Sequence, residues 1–451
     1  MTLDEIFNAK LTENGDLAFT KVNDNALLNI LFLTEYYQNH ITELPELDDT
    51  PINKLFAMFI RDPRFGLGRR DLGRALMDMT HCTFEDILRA GRADDLFYNF
   101  HLKTKEEQEV IAHFCYMQIQ LGNELVKKWM PRYSSKDSAL ARDLAKIFEM
   151  NKQQYGHFVK CNTTENKLSR KNYEEIQFEH IPSLAMIKYA KAFANKPELK
   201  DRYQKYLEDV KAGRKDMKVS TTTVYDIYKN RNNIDADLFF SKIEKIKLNC
   251  IPIIDTSGSM YDSNDSIGKA ISIGHYLAKC STYAPNKVIS FSAFPQLITL
   301  GIKPEASRPY FHNLDELVSK ESQYYKEINS MFTGDCSNTN FGAVMELLSN
   351  LDGDMPEYLV VLSDMEFDMG SSLSKEETMQ LFKSKGYKTR IVWWNLNSRN
   401  ITCPEMDKDG NIFLSGYNPM LLKFLQVGFD AEAFLITLLE EYRKELLKNS
   451  R

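Results

Sequence analysis

The chain has 451 residues, of which 43% are hydrophobic and 27% charged; this composition predicts a globular protein of two or three domains and excludes wholesale disorder and fibrous architectures. Residues 247–451 hold 20 Lys and Arg against 26 Asp and Glu, whereas residues 1–246 hold 37 of each, so neither half has the strong positive charge of a dedicated nucleic-acid-binding domain. No run approaches the ~18 apolar residues of a membrane span, and the acidic, interrupted start does not resemble a signal or transit peptide.

The first 245 residues are predicted to be mostly helical. Apolar residues recur every three or four positions in the stretches 25–37, 52–60, 71–79, 107–126, 138–150 and 184–193. Turn and cap signals such as Asp62-Pro63 and Ile181-Pro182 separate these stretches. We therefore expect residues 1–245 to form one domain, either a helical bundle or a solenoid of stacked helix pairs.

The pattern changes near Ile246. Short apolar runs at 248–254, 287–294, 358–363, 390–395 and 412–414 alternate with helical stretches at 267–281, 340–351, 375–385, 419–427 and 431–447. Near-continuous apolar strands separated by helices are typical of a parallel sheet covered on both faces. Residues 246–451 are therefore predicted to form one doubly wound, Rossmann-like α/β domain.

Three loops of this second domain carry oxygen-bearing side chains. The first strand runs directly into Asp255, Ser257 and Ser259 in a D-x-S-x-S pattern, Thr339 lies in the loop GDCSNTNFG, and Asp364 follows YLVVLS. Open α/β sheets bind ligands at the carboxyl edge of the strands. Ligands that are all oxygen suit a hard cation, Mg²⁺ first, with Mn²⁺ or Ca²⁺ as alternatives. The other reading is that these loops only cap buried strands.

This set of five residues resembles the metal-ion-dependent adhesion site (MIDAS) of the von Willebrand factor A fold. That site combines D-x-S-x-S with a Thr from a second loop and an Asp from a third. The resemblance implies that Ser257, Ser259 and Thr339 bind the ion directly or through water, and that Asp255 and Asp364 act mainly through water. It also implies that a protein partner donates a carboxylate to the open coordination position. A site that stays empty and only supports the structure is the alternative.

A hydrolytic use of the same site is the weaker hypothesis. Asp255 and Asp364 would then hold a metal-activated water, as in a phosphatase or nuclease. The sequence contains no G-x-x-x-x-G-K-[ST], G-x-S-x-G or H-E-x-x-H motif, and His275 is predicted to occupy an ordinary helix position. We therefore expect no catalytic residues and no enzyme activity.

Two basic clusters in the first half are candidate RNA-binding sites. One surrounds a Pro/Gly turn before a helix and contains Arg61, Arg64, Arg69, Arg70 and Arg74; the other contains Lys127, Lys128, Trp129 and Arg132. Arginine forks and helix N-termini bind phosphate, and an aromatic residue between cations fits single-stranded nucleic acid. The alternatives are that the arginines pair with neighbouring aspartates, that Trp129 is a core residue, and that the basic stretch 186–219 is a solvated helix face.

Phrases over nearly the whole chain carry a broader resemblance. They are FIRDPRFGLGRRDLGRAL (59–76), KWMPR (128–132), HIPSLAMIKYAKAF (180–193), LNCIPIIDTSGSM (248–260), NTNFGAVMELL (338–348), LSDMEFD (362–368), IVWWNLN (391–397) and LSGYNPMLLKFL (414–425). They resemble a domain family of plant and large-virus proteins, a relative of the TROVE module of the Ro ribonucleoprotein. The resemblance implies a HEAT-like, TROVE-like helical-repeat domain fused to an A-type metal-site domain, and in Ro-type proteins the basic helical ring binds structured and misfolded small RNAs.

Together these features predict a non-enzymatic, metal-dependent binding protein. Its helical domain is expected to bind small structured or single-stranded RNA, and its A-type domain to bind a protein carboxylate through the cation. The rival hypothesis is a scaffold or virion-associated protein that uses the metal site for protein–protein contact. The seven cysteines form no C-x-x-C pair, which favours reduced thiols and a cytoplasmic location, or the virion if the source is a virus, with no membrane partner.

Overall fold

A computed structural model describes residues 9–11, 17–19, 25–134, 137–161, 163–219, 222–302, 322–332, 341–349, 355–364, 384, 388–397, 405–406, 410–417, 421, 424 and 430–448. The chain divides into two compact units. The sheet unit contains residues 1–39, 183–191 and 222–435, and the helical unit contains residues 40–182, 192–221 and 436–451. Within the described ranges, no helix has both the length and the apolar character needed to cross a bilayer.

The chain begins with a short antiparallel hairpin of β1 (Ala9–Leu11) and β2 (Leu17–Phe19), followed by α1 (Ala26–Phe32) and α2 (Thr34–Asn39). Residues 40–221 then form α3 (Pro51–Arg61), α4 (Arg70–Met79), α5 (Phe84–Ala90), α6 (Lys105–Gln120), α7 (Glu124–Trp129), α8 (Ser138–Ile147), α9 (Lys152–Phe158), α10 (Thr164–Ser169), α11 (Ser183–Asn195) and α12 (Pro197–Lys211). Capping boxes at Thr83, Thr104 and Asn151 start three of these helices. The predicted helical character of the N-terminal region is confirmed.

One predicted helix is two helices in the structure. The periodic stretch 107–126 is interrupted between α6 and α7, where Gly122 adopts a φ of +83°. Asn123 then accepts hydrogen bonds from the backbone N–H groups of Leu125 and Val126 and begins α7. The apolar period continues across the break, which is why periodicity alone could not locate it.

The remaining elements belong to the sheet unit, except that the last helix does so only up to residue 435. They are α13 (Val224–Asn230), α14 (Ala236–Lys242), β3 (Cys250–Asp255), α15 (Ser266–Cys280), β4 (Lys287–Phe291), β5 (Leu297–Thr299), α16 (Gln323–Ser330), α17 (Phe341–Ser349), β6 (Tyr358–Ser363), β7 (Arg390–Asn395), β8 (Glu405–Met406), β9 (Ile412–Ser415) and α18 (Ala431–Lys448). The predicted helix at 375–385 and most of the one at 419–427 lie outside the described residues.

The sheet has seven strands in the order β5-β4-β3-β6-β7-β9-β8. The neighbours from β4 through β9 are parallel, and β5 and β8 are antiparallel edge strands. The sheet is therefore mixed, whereas the sequence predicts parallel strands throughout. Strands of two or three residues show no resolvable alternation of apolar and polar residues, so the sequence did not reveal the two edges.

Helices cover both faces of the sheet. On one face, Phe341, Val344 and Met345 of α17 pack with residues of β3, β4, β6 and β7 in one apolar cluster. On the other face α15 lies so close to β3 that a Cβ on Gly274 would overlap the Ile254 side chain. This two-sided burial explains why the central strands are apolar along their whole length.

The two units do not follow a single cut at residue 246. Residues 222–245 group with the sheet unit because their helices pack on it: the Phe240 ring of α14 lies 4.5 Å from the His275 ring of α15. Residues 436–451 group with the helical unit. There the Tyr442 hydroxyl donates to Asp62 at 3.2 Å, and the Tyr442 ring packs edge-to-face on Phe59.

Candidate functional site

Two carboxyl groups meet at the carboxyl edge of the sheet. Asp255 is the last residue of β3, and Asp364 directly follows β6. The two strands are parallel, with Ile254 opposite Leu362, so both carboxyl groups leave the sheet at the same edge. Asp364 is 5% exposed and Asp255 is completely buried, so both carboxyl groups are largely removed from solvent at this edge.

Asp255 is completely buried. Its Oδ1 accepts the Ser257 backbone N–H at 2.9 Å, and its Oδ2 accepts the Ser363 hydroxyl at 2.6 Å. Burial is the largest influence on the pKa of Asp255 and raises it from 3.8 to about 7, although the hydrogen bonds from Ser363 and Ser257 oppose this rise. A carboxyl group that is costly to ionise would be stabilised in its charged form by a cation placed beside it.

The two serines of the D-x-S-x-S loop lie side by side. Ser257 Oγ and Ser259 Oγ are 3.1 Å apart, at the start of a short 3₁₀ turn over Gly258–Met260. Adjacent oxygens of an octahedral Mg²⁺ shell, with Mg–O distances of 2.0–2.1 Å, are about 3 Å apart. The spacing of the two hydroxyls therefore fits two neighbouring positions of such a shell.

Thr339 lies outside the described residues, so its part in the site stays a prediction. The structure adds two hydroxyls that the sequence analysis did not single out. Ser363 holds Asp255 through the 2.6 Å hydrogen bond. Ser292 directly follows β4, whose Phe291 lies opposite Asp255, and its buried hydroxyl finds no hydrogen-bond partner among the described residues. A serine directly at the end of a buried strand was the available signal in both cases.

The loop after Ser259 is anchored to the start of α15. Asp262 accepts the Ser266 backbone N–H and hydroxyl, both at 3.0 Å. Asp265 adopts a left-handed backbone, with φ of +55°, and caps the helix by accepting the Gly268 N–H. The Tyr225 hydroxyl of α13 donates to Asp265 at 2.8 Å. These bonds fix the path of the loop that presents Ser257 and Ser259.

Asp255, Asp364, Ser257 and Ser259 bring carboxylate and hydroxyl oxygens to this edge. Across the described ranges, no three His, Cys, Asp or Glu side chains converge as a metal-binding group would. A cation would therefore depend on the serine hydroxyls, water and the two aspartates. This donor set fits Mg²⁺, which keeps several waters and takes few protein carboxylates.

Aspartates accompany the arginine turn of the helical unit. Asp95 lies 2.7 Å from the buried Arg61 and 2.5 Å from Arg74, and Asp94 accepts a hydrogen bond from Arg74 at 2.8 Å. Two other pairs are Arg70 with Asp94 at 3.4 Å and Arg64 with Asp62 at 3.1 Å, while Arg69 precedes α4. Arg61, Arg64, Arg70 and Arg74 therefore pair with carboxylates, which is the alternative that the sequence left open.

Several residues of the second basic cluster also make contacts within the helical unit. Trp129 packs against the apolar core of the helical unit, and the Arg92 guanidinium lies 4.3 Å from its ring centroid. Arg132 donates to the Cys161 sulfur at 2.9 Å, and Lys127 pairs with Glu124 at 3.3 Å. Trp129 thus has a core contact and a cation on its ring, so it is not an open stacking platform.

These features define a class of protein: a chain with a region of short helices and an open, mixed α/β sheet whose carboxyl edge is lined by oxygen donors. Comparison with known proteins gives the particular relatives. Residues 249–448 match a family model described as "Domain of unknown function (DUF7788)", and residues 123–247 match "Domain of unknown function (DUF2828)".

One similar protein is "Uncharacterized protein L728" of Acanthamoeba polyphaga mimivirus, which is 24% identical over 70% of this chain. The chain spans 60% of the length of that relative. Among solved structures, the crystal structure of the Deinococcus radiodurans Ro (RSR) protein aligns over 94% of both chains at 12% identity, with a TM-score of 0.39.

Proposed function

We propose that the sheet unit is a von Willebrand factor A-like domain that binds a divalent cation, Mg²⁺ first, at Asp255, Ser257, Ser259, Asp364 and Thr339. The ion supplies a positively charged, open coordination position, and a carboxylate of a protein partner occupies it. The protein is then a cation-dependent binding protein and not an enzyme. The alternative is that the protein is a scaffold or virion component and uses the same metal site for protein–protein contact.

One observation carries this proposal: the completely buried Asp255 carboxyl and the 5% exposed Asp364 lie at the carboxyl edge of the sheet, at the ends of two adjacent parallel strands. Two buried carboxyl groups that repel each other destabilise a fold unless a cation or a proton compensates them. The hydroxyl pair of Ser257 and Ser259 supplies neutral oxygens beside them. Asp255, Asp364 and the serine pair together favour a bound cation over a purely structural arrangement.

Binding without catalysis is supported by the position of the nearest histidine. His275 is completely buried in α15, and its Nε2 lies 2.7 Å from Glu327 Oε2. Lys279 also approaches Glu327, at 2.5 Å. These groups pair with each other inside the fold, so they cannot exchange protons with a ligand at the sheet edge.

The test is thermal unfolding in chelator and then in MgCl₂ or MnCl₂. We expect the cation to raise the Tm of the wild-type protein by mass action, and the double variant Asp255→Ala/Ser257→Ala to lose this response. The matched control is Asp201→Ala/Ser169→Ala, which removes the same groups from exposed helix positions. An unchanged metal response in the Asp255/Ser257 variant contradicts the ligand assignment, and turnover of phosphomonoesters or RNA with Mn²⁺ contradicts a purely binding role.

RNA binding by the helical unit is a second proposed function. The segment 120–171 holds 11 Lys and Arg against 5 Asp and Glu. Among the described residues of this segment, the exposed cations are Arg142, Lys146, Lys152, Lys160, Arg170 and Lys171, and Lys127 and Lys128 are half-exposed. Phosphate contact would thus depend on these cations more than on the four arginines of the turn whose charges are compensated by aspartates.

Fluorescence anisotropy with a labelled single-stranded RNA tests this second function. We expect binding that weakens steeply with salt, because lysine–phosphate contacts release counterions. Lys127→Glu/Lys128→Glu should weaken binding about tenfold or more, whereas Lys105→Glu, an exposed lysine outside the basic segment, should have a much smaller effect. Equal losses in both variants, or no binding at low salt, contradict an RNA site in this segment.

A further inference from the structure

One face of α6 in the helical unit is apolar and exposed. Val110, Phe114, Met117 and Leu121 follow one another at spacings of three and four residues, so they form one stripe along this helix and the turn that ends it. Val110, Met117 and Leu121 are 58%, 56% and 75% exposed. Isolated exposed apolar residues are common on protein surfaces, but a continuous stripe on one helix face is characteristic of an interaction surface.

Two cavities open beside this stripe, between α5 and α6. The first has a volume of about 390 Å³ and is lined by Phe84 and Ile87 of α5 and by Val110 and Ile111 of α6. The second has a volume of about 300 Å³ and is lined by Leu88, Phe114, Gln118 and Leu446. Phe84 of the first cavity and Phe114 of the second are in contact, with ring centroids 5.2 Å apart.

The cavities are spaced like the anchor residues of a helix. The first is lined by residues 106–111 of α6 and the second by residues 114 and 118. Their centres are thus about seven residues apart along α6, or about 11 Å at 1.5 Å per residue. Side chains at positions i and i+7 of a second, roughly parallel helix have the same separation.

The two cavities differ in charge. In the first, Asp95 pairs with Arg74 and Asp78 pairs with Lys103, so its excess negative charge comes from Glu106 and Glu107. The second is lined by Arg64, Arg89 and Glu85, and Arg64 pairs with the buried Asp62, so this cavity is close to neutral. A helix has a positive N-terminus, so the acidic first cavity favours a ligand helix whose N-terminus lies over it. Such a helix would run parallel to α6.

We propose that the groove formed by these two cavities and the stripe of Val110, Phe114, Met117 and Leu121 binds an amphipathic helix of a partner protein, with apolar anchors at i and i+7 and basic residues in its first turn. The first anchor enters the cavity at Val110, and the second enters the cavity at Phe114. Val110, Met117 and Leu121 are buried in the complex. The groove belongs to the helical unit, so this interaction is independent of the proposed cation site.

The probe is a fluorescein-labelled peptide of about 15 residues, a length at which a helix is marginally stable. It carries leucines at positions i, i+3, i+4 and i+7 and lysines in the first turn. A second peptide has the same leucines with glutamates in place of the lysines. We expect the first peptide to bind with an affinity at least about fivefold higher than the second, because the attraction to Glu106 and Glu107 outweighs the unfavourable position of lysines at a helix N-terminus.

Val110→Glu and Met117→Glu should each weaken binding of the first peptide by about tenfold or more. Both sites are exposed, so neither variant should unfold the protein, and circular dichroism checks this. Ile52→Glu is the matched control, since Ile52 is 51% exposed on α3, and it should leave binding unchanged. Equal binding of the two peptides, no binding of either, or dimerisation of the free protein that Val110→Glu abolishes would overturn the proposal; the last result would assign the face to a second copy of the chain.

Discussion

Replacing Asp255 by Asn tests two effects of the buried carboxylate: the stability that its charge costs the metal-free fold, and the stability that it provides when Mg²⁺ binds. Between about pH 4 and pH 7 the folded carboxyl, with its pKa raised to about 7, keeps a proton that the unfolded chain, with a pKa of 3.8, has released. The folded state therefore binds more protons in this window, and the stability of the metal-free protein falls as the pH rises. At about 1.4 kcal/mol per pKa unit, the total loss is about 4 kcal/mol.

An asparagine at this position is neutral at every pH. It keeps an oxygen for the Ser257 N–H and presents an amide group to the Ser363 hydroxyl. In chelator at pH 8 we expect Asp255→Asn to be more stable than the wild type by about 2–3 kcal/mol, after allowance for the weaker hydrogen bonds of an uncharged group. With MgCl₂ the wild type should gain stability and the variant should not.

Thermal unfolding in chelator, followed over the range from pH 4 to pH 8, measures both effects. The two proteins should have similar stability at the acidic end and diverge as the pH rises. Asp201→Asn, at an exposed position of α12, is the control and should follow the wild-type curve. If the wild type and Asp255→Asn have the same pH dependence, ionisation of the buried carboxyl does not destabilise the metal-free fold.

Three further changes test packing, charge pairing and the anchoring of the metal loop. Gly73→Ala should lower the free energy of unfolding by about 1–3 kcal/mol, because its Cβ would lie 2.6 Å from the backbone of α3, whereas Gly156→Ala in α9, with open space around the new Cβ, should be neutral or stabilising. Asp95→Asn should lower the free energy of unfolding by about 3–5 kcal/mol, since it removes the charge that compensates the buried Arg61 guanidinium. Tyr225→Phe removes the donor to Asp265 and should weaken Mg²⁺ binding about fivefold in a metal titration without abolishing it; an unchanged affinity would show that the loop holds its path without this bond.

The sequence predicts the central strands well because a strand that is buried on both faces has a continuous run of apolar residues. LNCIPII and YLVVLS are apolar along their length, and in the structure they become the adjacent strands β3 and β6. The D-x-S-x-S loop follows from the same reasoning, because a polar group directly after a buried strand must lie at its carboxyl edge. That is why Asp255 and Asp364 could be assigned to one edge from the sequence.

The arginine turn shows what the sequence does not determine. Its nearest acids in sequence are Asp62 and Asp71, but the carboxylates that compensate Arg61 and Arg74 come mainly from Asp95, more than 20 residues further along the chain. Charge counts within a window cannot detect this pairing, since it depends on how helices pack. The same holds for Ser363, whose bond to Asp255 requires the two strands to be neighbours.

The contact between Tyr442 and Asp62 has a consequence for how the protein is made. These residues are 380 positions apart, so a nascent chain leaves Phe59 and Asp62 without their aromatic contact until residue 442 has emerged from the ribosome. An expression fragment that stops at residue 245 would have the same defect permanently. Folding of the helical unit is thus completed by a segment far along the chain, and truncation at residue 245 should yield an aggregation-prone product.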